Sequence, residues 1–252
     1  MVASKNTLSN DMQETRLLVL GDSHVHTIKW ATDAGLISMN CEFAVVGGAT
    51  AVGLRNPNSV SNAMPIFEQA AFPVRKHTVP VIQLGEVDCG FVIWWRAIKY
   101  GETVDDQVEA SITSYFAFVD RLLVAGYPIV IITGATLPTI QDGQDWGEVA
   151  NLRKDVTASL RERTALTLRY NIRLEYEAST RGLPYVDISS EILDEQNGVL
   201  RPEFRSADPT DHHLAPDKAG PLWTKALKLA LSENIMGTIH PSKSVPNPKV
   251  QP

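Results

Sequence analysis

Five short apolar segments constrain this chain more than any other feature: Arg16–Leu20, Phe43–Val46, Val79–Leu84, Ile129–Thr133 and Pro184–Ile188. Each is built from Val, Ile, Leu and other apolar residues and is closed by Gly or Ser. A continuous apolar run of this length suits a strand covered on both faces, as in a parallel sheet. Stretches of helical character separate the runs. Ser61–Ala71 opens on a serine cap, Asp105–Ala125 is long and amphipathic, and Asp145–Thr180 is charged and rich in helix formers. Pro216–Ser232 has proline at its start and apolar residues at helical spacing. Strand–helix alternation implies right-handed crossovers and an α/β three-layer sandwich around a mainly parallel five-stranded sheet.

The 252 residues, 44% of them hydrophobic, suffice for one large core. We expect a single domain over residues 16–236, between a flexible N-terminus (1–15) and a flexible tail (237–252) with four prolines in its last twelve positions. Acids outnumber Lys plus Arg by 29 to 23, and a net charge of −6 argues against nucleic acid or an anionic membrane as partner. Two cysteines, Cys41 and Cys89, make no disulfide framework. The polar opening lacks the apolar stretch of a signal peptide, and no apolar run nears the roughly 20 residues that span a bilayer. A cytoplasmic, soluble protein is the expectation.

An open parallel sheet places its chemistry outside the carboxyl ends of the strands. There the sequence reads Gly21-Asp22-Ser23-His24, then Gly47-Gly48-Ala49-Thr50, then Gly85-Glu86-Val87-Asp88, then Gly134-Ala135. Before the last helix comes Ala207–Pro216, ADPTDHHLAP. These blocks, in this order, resemble the GDSL or SGNH hydrolases from about Leu17 to Leu231. The resemblance implies a flavodoxin-like sandwich of the SGNH type and a serine esterase or acyl hydrolase (EC 3.1.1 class), with no metal and no cofactor. It makes Ser23 the nucleophile and His213 its base, with Ser23 N–H and Gly48 N–H holding the oxyanion. A small ester is the implied substrate, with an O-acetylated sugar the first class to test because Trp94, Trp95 and Tyr100 follow the third block. An O-acyltransferase using the same triad and a non-catalytic binding protein of this fold are the alternatives.

Two positions depart from the family pattern. The acid expected three residues before the histidine is absent, because position 210 is threonine; Asp211 is nearest, and Asp208 is the other candidate. Val87 stands where the third block carries an asparagine donor, leaving Asn56 or Asn58 to fill that role. Glu86, Asp88, Asn58 and Arg96 are expected to face substrate, Arg96 by pairing with an anion or with Glu86. Simpler readings stand beside these: Ser23 as a helix cap, His26 as a satisfied, partly buried histidine, and the aromatics as core. Asp22-x-His24 also resembles the opening of the calcineurin-like metallophosphoesterases and GEVDCG their second motif; in that family Asp and His bridge two metal ions. That family's later histidine motifs are missing, and the adjacent His212 and His213, in an extended loop, are expected to point apart.

Overall fold

The structure, a computed structural model, describes residues 15–143 and 156–239; the expected N-terminal and C-terminal tails lie almost wholly outside them. Five parallel strands form one sheet: β1 (Arg16–Gly21), β2 (Asn40–Val45), β3 (Thr78–Gln83), β4 (Ile131–Thr133) and β5 (Tyr185–Val186). Their order across the sheet is β2-β1-β3-β4-β5. The chain therefore leaves β1 to one side and returns on the other, which makes the β1/β3 boundary the switch point where such sheets bind ligands.

Alternation along β1 sorts its side chains into two cores. Leu18 and Leu20 join Ile82, Ile132, Phe67, Phe118 and Leu174, under α2 (Ala63–Ala71), α4 (Val104–Ala125) and α5 (Leu160–Thr180). Leu17 and Val19 join Val81, Ile131, Ile28 and Trp223, under α1 (His26–Asp33) and α7 (Pro216–Ile239). The central strands β1 and β3 are thus covered on both faces, while β2 at the sheet edge is mostly half-buried or exposed. Each fully buried Leu, Ile or Phe in these layers stabilises the fold by roughly 1.5–3 kcal/mol.

Several boundaries differ from the sequence expectation. The helix ending at Thr180 begins at Leu160, behind a capping box in which Ser159 and Glu162 bond reciprocally; residues 156–159 are not helical, and the rest of the expected start falls outside the described residues. Ser61 does not cap α2: Asn62 precedes that helix in a left-handed conformation (φ 49°), and Ser61 Oγ lies 3.2 Å from Ser59 Oγ. The last helix continues to Ile239, well past Ser232. An unexpected π-turn, Asp88–Val92, leads into α3 (Ile93–Tyr100), so the aromatic stretch is helical. A small antiparallel pair, β6 (Leu193–Asp194) and β7 (Val199–Leu200), follows the short α6 (Ser189–Ile192). None of the described helices is long and apolar enough to cross a membrane.

Candidate active site

Ser23 owes its position to two neighbours. Gly21 closes β1 so tightly that an added Cβ would lie 2.3 Å from Gln83 O and 2.5 Å from Val25 Cγ1, and only glycine fits. Asp22 then caps the 3₁₀ turn Ser23–Val25, its Oδ1 accepting the His24 N–H at 2.8 Å. The cap that Ser23 was a candidate to supply is made by Asp22, and the serine side chain is turned to other use. Its Oγ lies 2.8 Å from His213 Nε2.

His213 comes from the loop before α7, 190 residues further along the chain. Its Nδ1 lies 2.6 Å from Asp211 Oδ1, which also accepts the His213 backbone N–H at 3.1 Å. A carboxylate only accepts, so Nδ1 carries the proton and Nε2 offers its lone pair to the Ser23 hydroxyl. An acid two residues before the histidine serves because one oxygen closes a turn onto both the backbone and the ring. Asp208 is engaged elsewhere, accepting from Thr210 N at 2.8 Å and Thr210 Oγ1 at 2.7 Å. The loop is pinned on two sides. Thr139 Oγ1, past β4, donates to His212 O, and His26 Nε2–H donates to Leu214 O at 3.0 Å. His26 is therefore a clamp on this loop, a role its sequence position did not disclose.

Burial, helped by the neighbouring His24 and His26, holds the His213 imidazole below its ordinary value of 6.5, against the opposing pull of Asp211. Burial also depresses His26, with His24 adding to it. For Asp211, burial acts upward, but the hydrogen bonds from His213 outweigh it and keep the carboxyl below its ordinary 3.8. The set is a carboxylate, a neutral imidazole and a hydroxyl in series, which is the arrangement that activates a serine.

The imidazoles form a cluster. His213 lies 4.1 Å from His212, 4.8 Å from His24 and 4.7 Å from His26, measured between ring centroids. The expectation that His212 and His213 point apart is corrected: the turn held by Asp211 brings both rings to one side. Asp22-x-His24 repeats the geometry of Asp211-x-His213, with His24 Nδ1 3.0 Å from Asp22 Oδ1. Glu86 Oε2 lies 3.5 Å from His24 Nε2, and both side chains are buried.

The remaining candidates separate. Gly48, exposed and in a left-handed conformation (φ 70°), stands three residues past the end of β2, beside the Ser23 end of β1. Asp88 does not face substrate. It is fully buried and accepts Ala51 N at 2.7 Å, Val52 N at 3.1 Å and Ser111 Oγ at 2.8 Å, thereby bracing the loop that carries Gly48. Glu86 is likewise turned to His24, under the protein surface. Asn58 is exposed in the loop after Arg55, its N–H donating to Asn56 Oδ1 at 3.0 Å. Arg96 pairs with neither Glu86 nor an anion site: its Nε bonds Gln107 Oε1 at 2.6 Å and its guanidinium lies over Tyr100. Val87, half-buried, supplies no side-chain donor, so the asparagine-like donor has no replacement on the third block itself.

No known family model matches the chain, and no curated protein matches it. Solved structures do. A GDSL-like lipase from Bacteroides thetaiotaomicron is similar over 91% of this chain and 97% of its own, at 15% identity and a TM-score of 0.53. The native aryl esterase of M. smegmatis is similar over 88% and 99% respectively, at 14% identity and a TM-score of 0.56. The chain thus has the fold of the SGNH/GDSL hydrolases across nearly its whole described length.

Proposed function

We propose that the protein hydrolyses small carboxylic esters through an acyl-enzyme on Ser23. One observation carries this reading: Ser23 Oγ sits 2.8 Å from His213 Nε2 while His213 Nδ1 sits 2.6 Å from Asp211 Oδ1. Ser23 Oγ attacks the ester carbonyl as its proton passes to Nε2, and Asp211 stabilises the resulting imidazolium. The tetrahedral oxyanion is received by Ser23 N–H and Gly48 N–H. Collapse expels the alkoxide, which takes the proton from His213. Water, deprotonated by the same imidazole, then cleaves the acyl-enzyme. With Val87 on the third block the oxyanion has two backbone donors; a third is worth about 100- to 1000-fold in such sites. A modest rate on simple esters is expected, O-acetylated sugars being the first natural class to assay.

The test is hydrolysis of p-nitrophenyl acetate by the wild type and by Ser23→Ala. A wild-type rate well above buffer, lost in the variant, supports the reading. Equal rates in the two proteins reject it.

A further inference from the structure

We propose that His24, His212 and His213 form a binding site for a divalent ion of the zinc type, and that its occupancy silences the serine. The three residues each bring one ligating atom within 4.8 Å of the others. Imidazole nitrogen suits zinc and its neighbours in the first transition row. What raises the cluster above a chance grouping is its outer layer. Zinc-bound histidines regularly give their second ring N–H to a carboxylate, which fixes the ring and raises its basicity. Two of the three have that partner: His24 Nδ1 lies 3.0 Å from Asp22 Oδ1, and His213 Nδ1 lies 2.6 Å from Asp211 Oδ1. Both rings therefore turn Nε2 toward the site.

Glu86 is an independent pointer. Its Oε2 lies 3.5 Å from His24 Nε2, within a pair that is almost wholly buried. Ester hydrolysis by Ser23, His213 and Asp211 uses neither His24 nor Glu86. A cation held by the three histidines would have this carboxylate as an anionic neighbour through His24, outside the set of three ligands. Zinc–nitrogen bonds of about 2.0–2.1 Å put tetrahedral ligands about 3.4 Å apart, so atoms now within 4.8 Å of one another must draw together by at most about 1.4 Å. His212, half-buried on its loop, can supply that shift by side-chain rotation.

The functional consequence follows from one lone pair. His213 Nε2 either accepts the Ser23 proton or binds the ion, and it cannot do both. This part rests on the esterase reading; the binding itself does not.

Calorimetric titration of the full-length protein with zinc chloride tests the site, using wild type, Ser23→Ala, His212→Ala and His24→Gln. One ion per chain is expected, retained in Ser23→Ala and weakened at least about tenfold in the two histidine variants. Absence of saturable binding, or equal affinity in His212→Ala, overturns the proposal. Because His212 is only half-buried, its variant decides the matter even if His24→Gln fails to fold. Fluorophosphonate labelling of the wild type should fall in step with zinc occupancy and return on chelation. Undiminished labelling of the zinc-loaded protein removes the silencing role. A wild type that never labels, with zinc still bound by the histidines, would instead count against the esterase reading and leave the metal site standing.

Discussion

A serine hydroxyl in water is a feeble nucleophile, and under the proposed function what activates Ser23 is the lone pair of His213, 2.8 Å away. Protonation of His213 must therefore end activity. Its imidazole is held below 6.5, first by burial and then by its histidine neighbours. The acid limb of kcat/KM should accordingly have its midpoint below 6.5; a pH–rate profile with the midpoint at or above that value contradicts this reading. Asp211→Asn keeps the shape but presents an amide where the ring N–H needs an acceptor, favouring the wrong tautomer. A fall of about 10⁴-fold in kcat is expected, with KM little changed. Asp208→Asn, whose parent carboxylate bonds Thr210 among the described residues, should leave kcat within about twofold.

At the scale of elements, the strands were legible because both faces are buried, so β1 and β3 appear as unbroken apolar runs bounded within one residue of their ends. The serine and histidine of the site were legible for a related reason: polar residues crowded at a strand end have no packing role. Less visible was anything depending on how separate elements meet. Glu86 and Asp88 sit at a strand end like Ser23, yet the sequence could not say that they turn inward, to His24 and to the Gly48 loop. Arg96 looked exposed to substrate because nothing local announced that α3 would pack it against Gln107 on α4. The acid-to-histidine spacing departs from the family pattern because one Asp211 oxygen closes a shorter turn, and the nearer acid, Asp211, is the one that meets His213. Asp88 yields a prediction at this scale. Asp88→Ala strands the buried N–H groups of Ala51 and Val52, each worth about 1–3 kcal/mol when unpaired. Urea unfolding should show a loss of about 2–5 kcal/mol, and ester turnover should fall as the Gly48 loop loosens; a variant as stable as the wild type would remove Asp88 as its brace.

The whole molecule couples the site to stability, because residues far apart in sequence meet only when the sheet is complete. His26 and His213 have folded values below 6.5 and regain ordinary ones on unfolding. The unfolded chain then binds more protons in that window, so their contribution is full above about pH 6.5 and is lost as the pH drops through the lower folded values. Thermal melts from about pH 7.5 to about pH 5 should show Tm falling, and His26→Gln, which removes one of the two groups, should show a shallower fall. A Tm flat across that range contradicts the linkage. The same long-range meeting is the core of the functional account: a hydroxyl at the end of β1 is activated by an imidazole delivered 190 residues later. Incubation of the metal-free protein with a fluorophosphonate probe, followed by peptide mapping, tests that meeting most directly. The account predicts one adduct, on Ser23, absent from Ser23→Ala and strongly slowed in His213→Ala. An unlabelled folded wild type, or an adduct on any other residue, contradicts it.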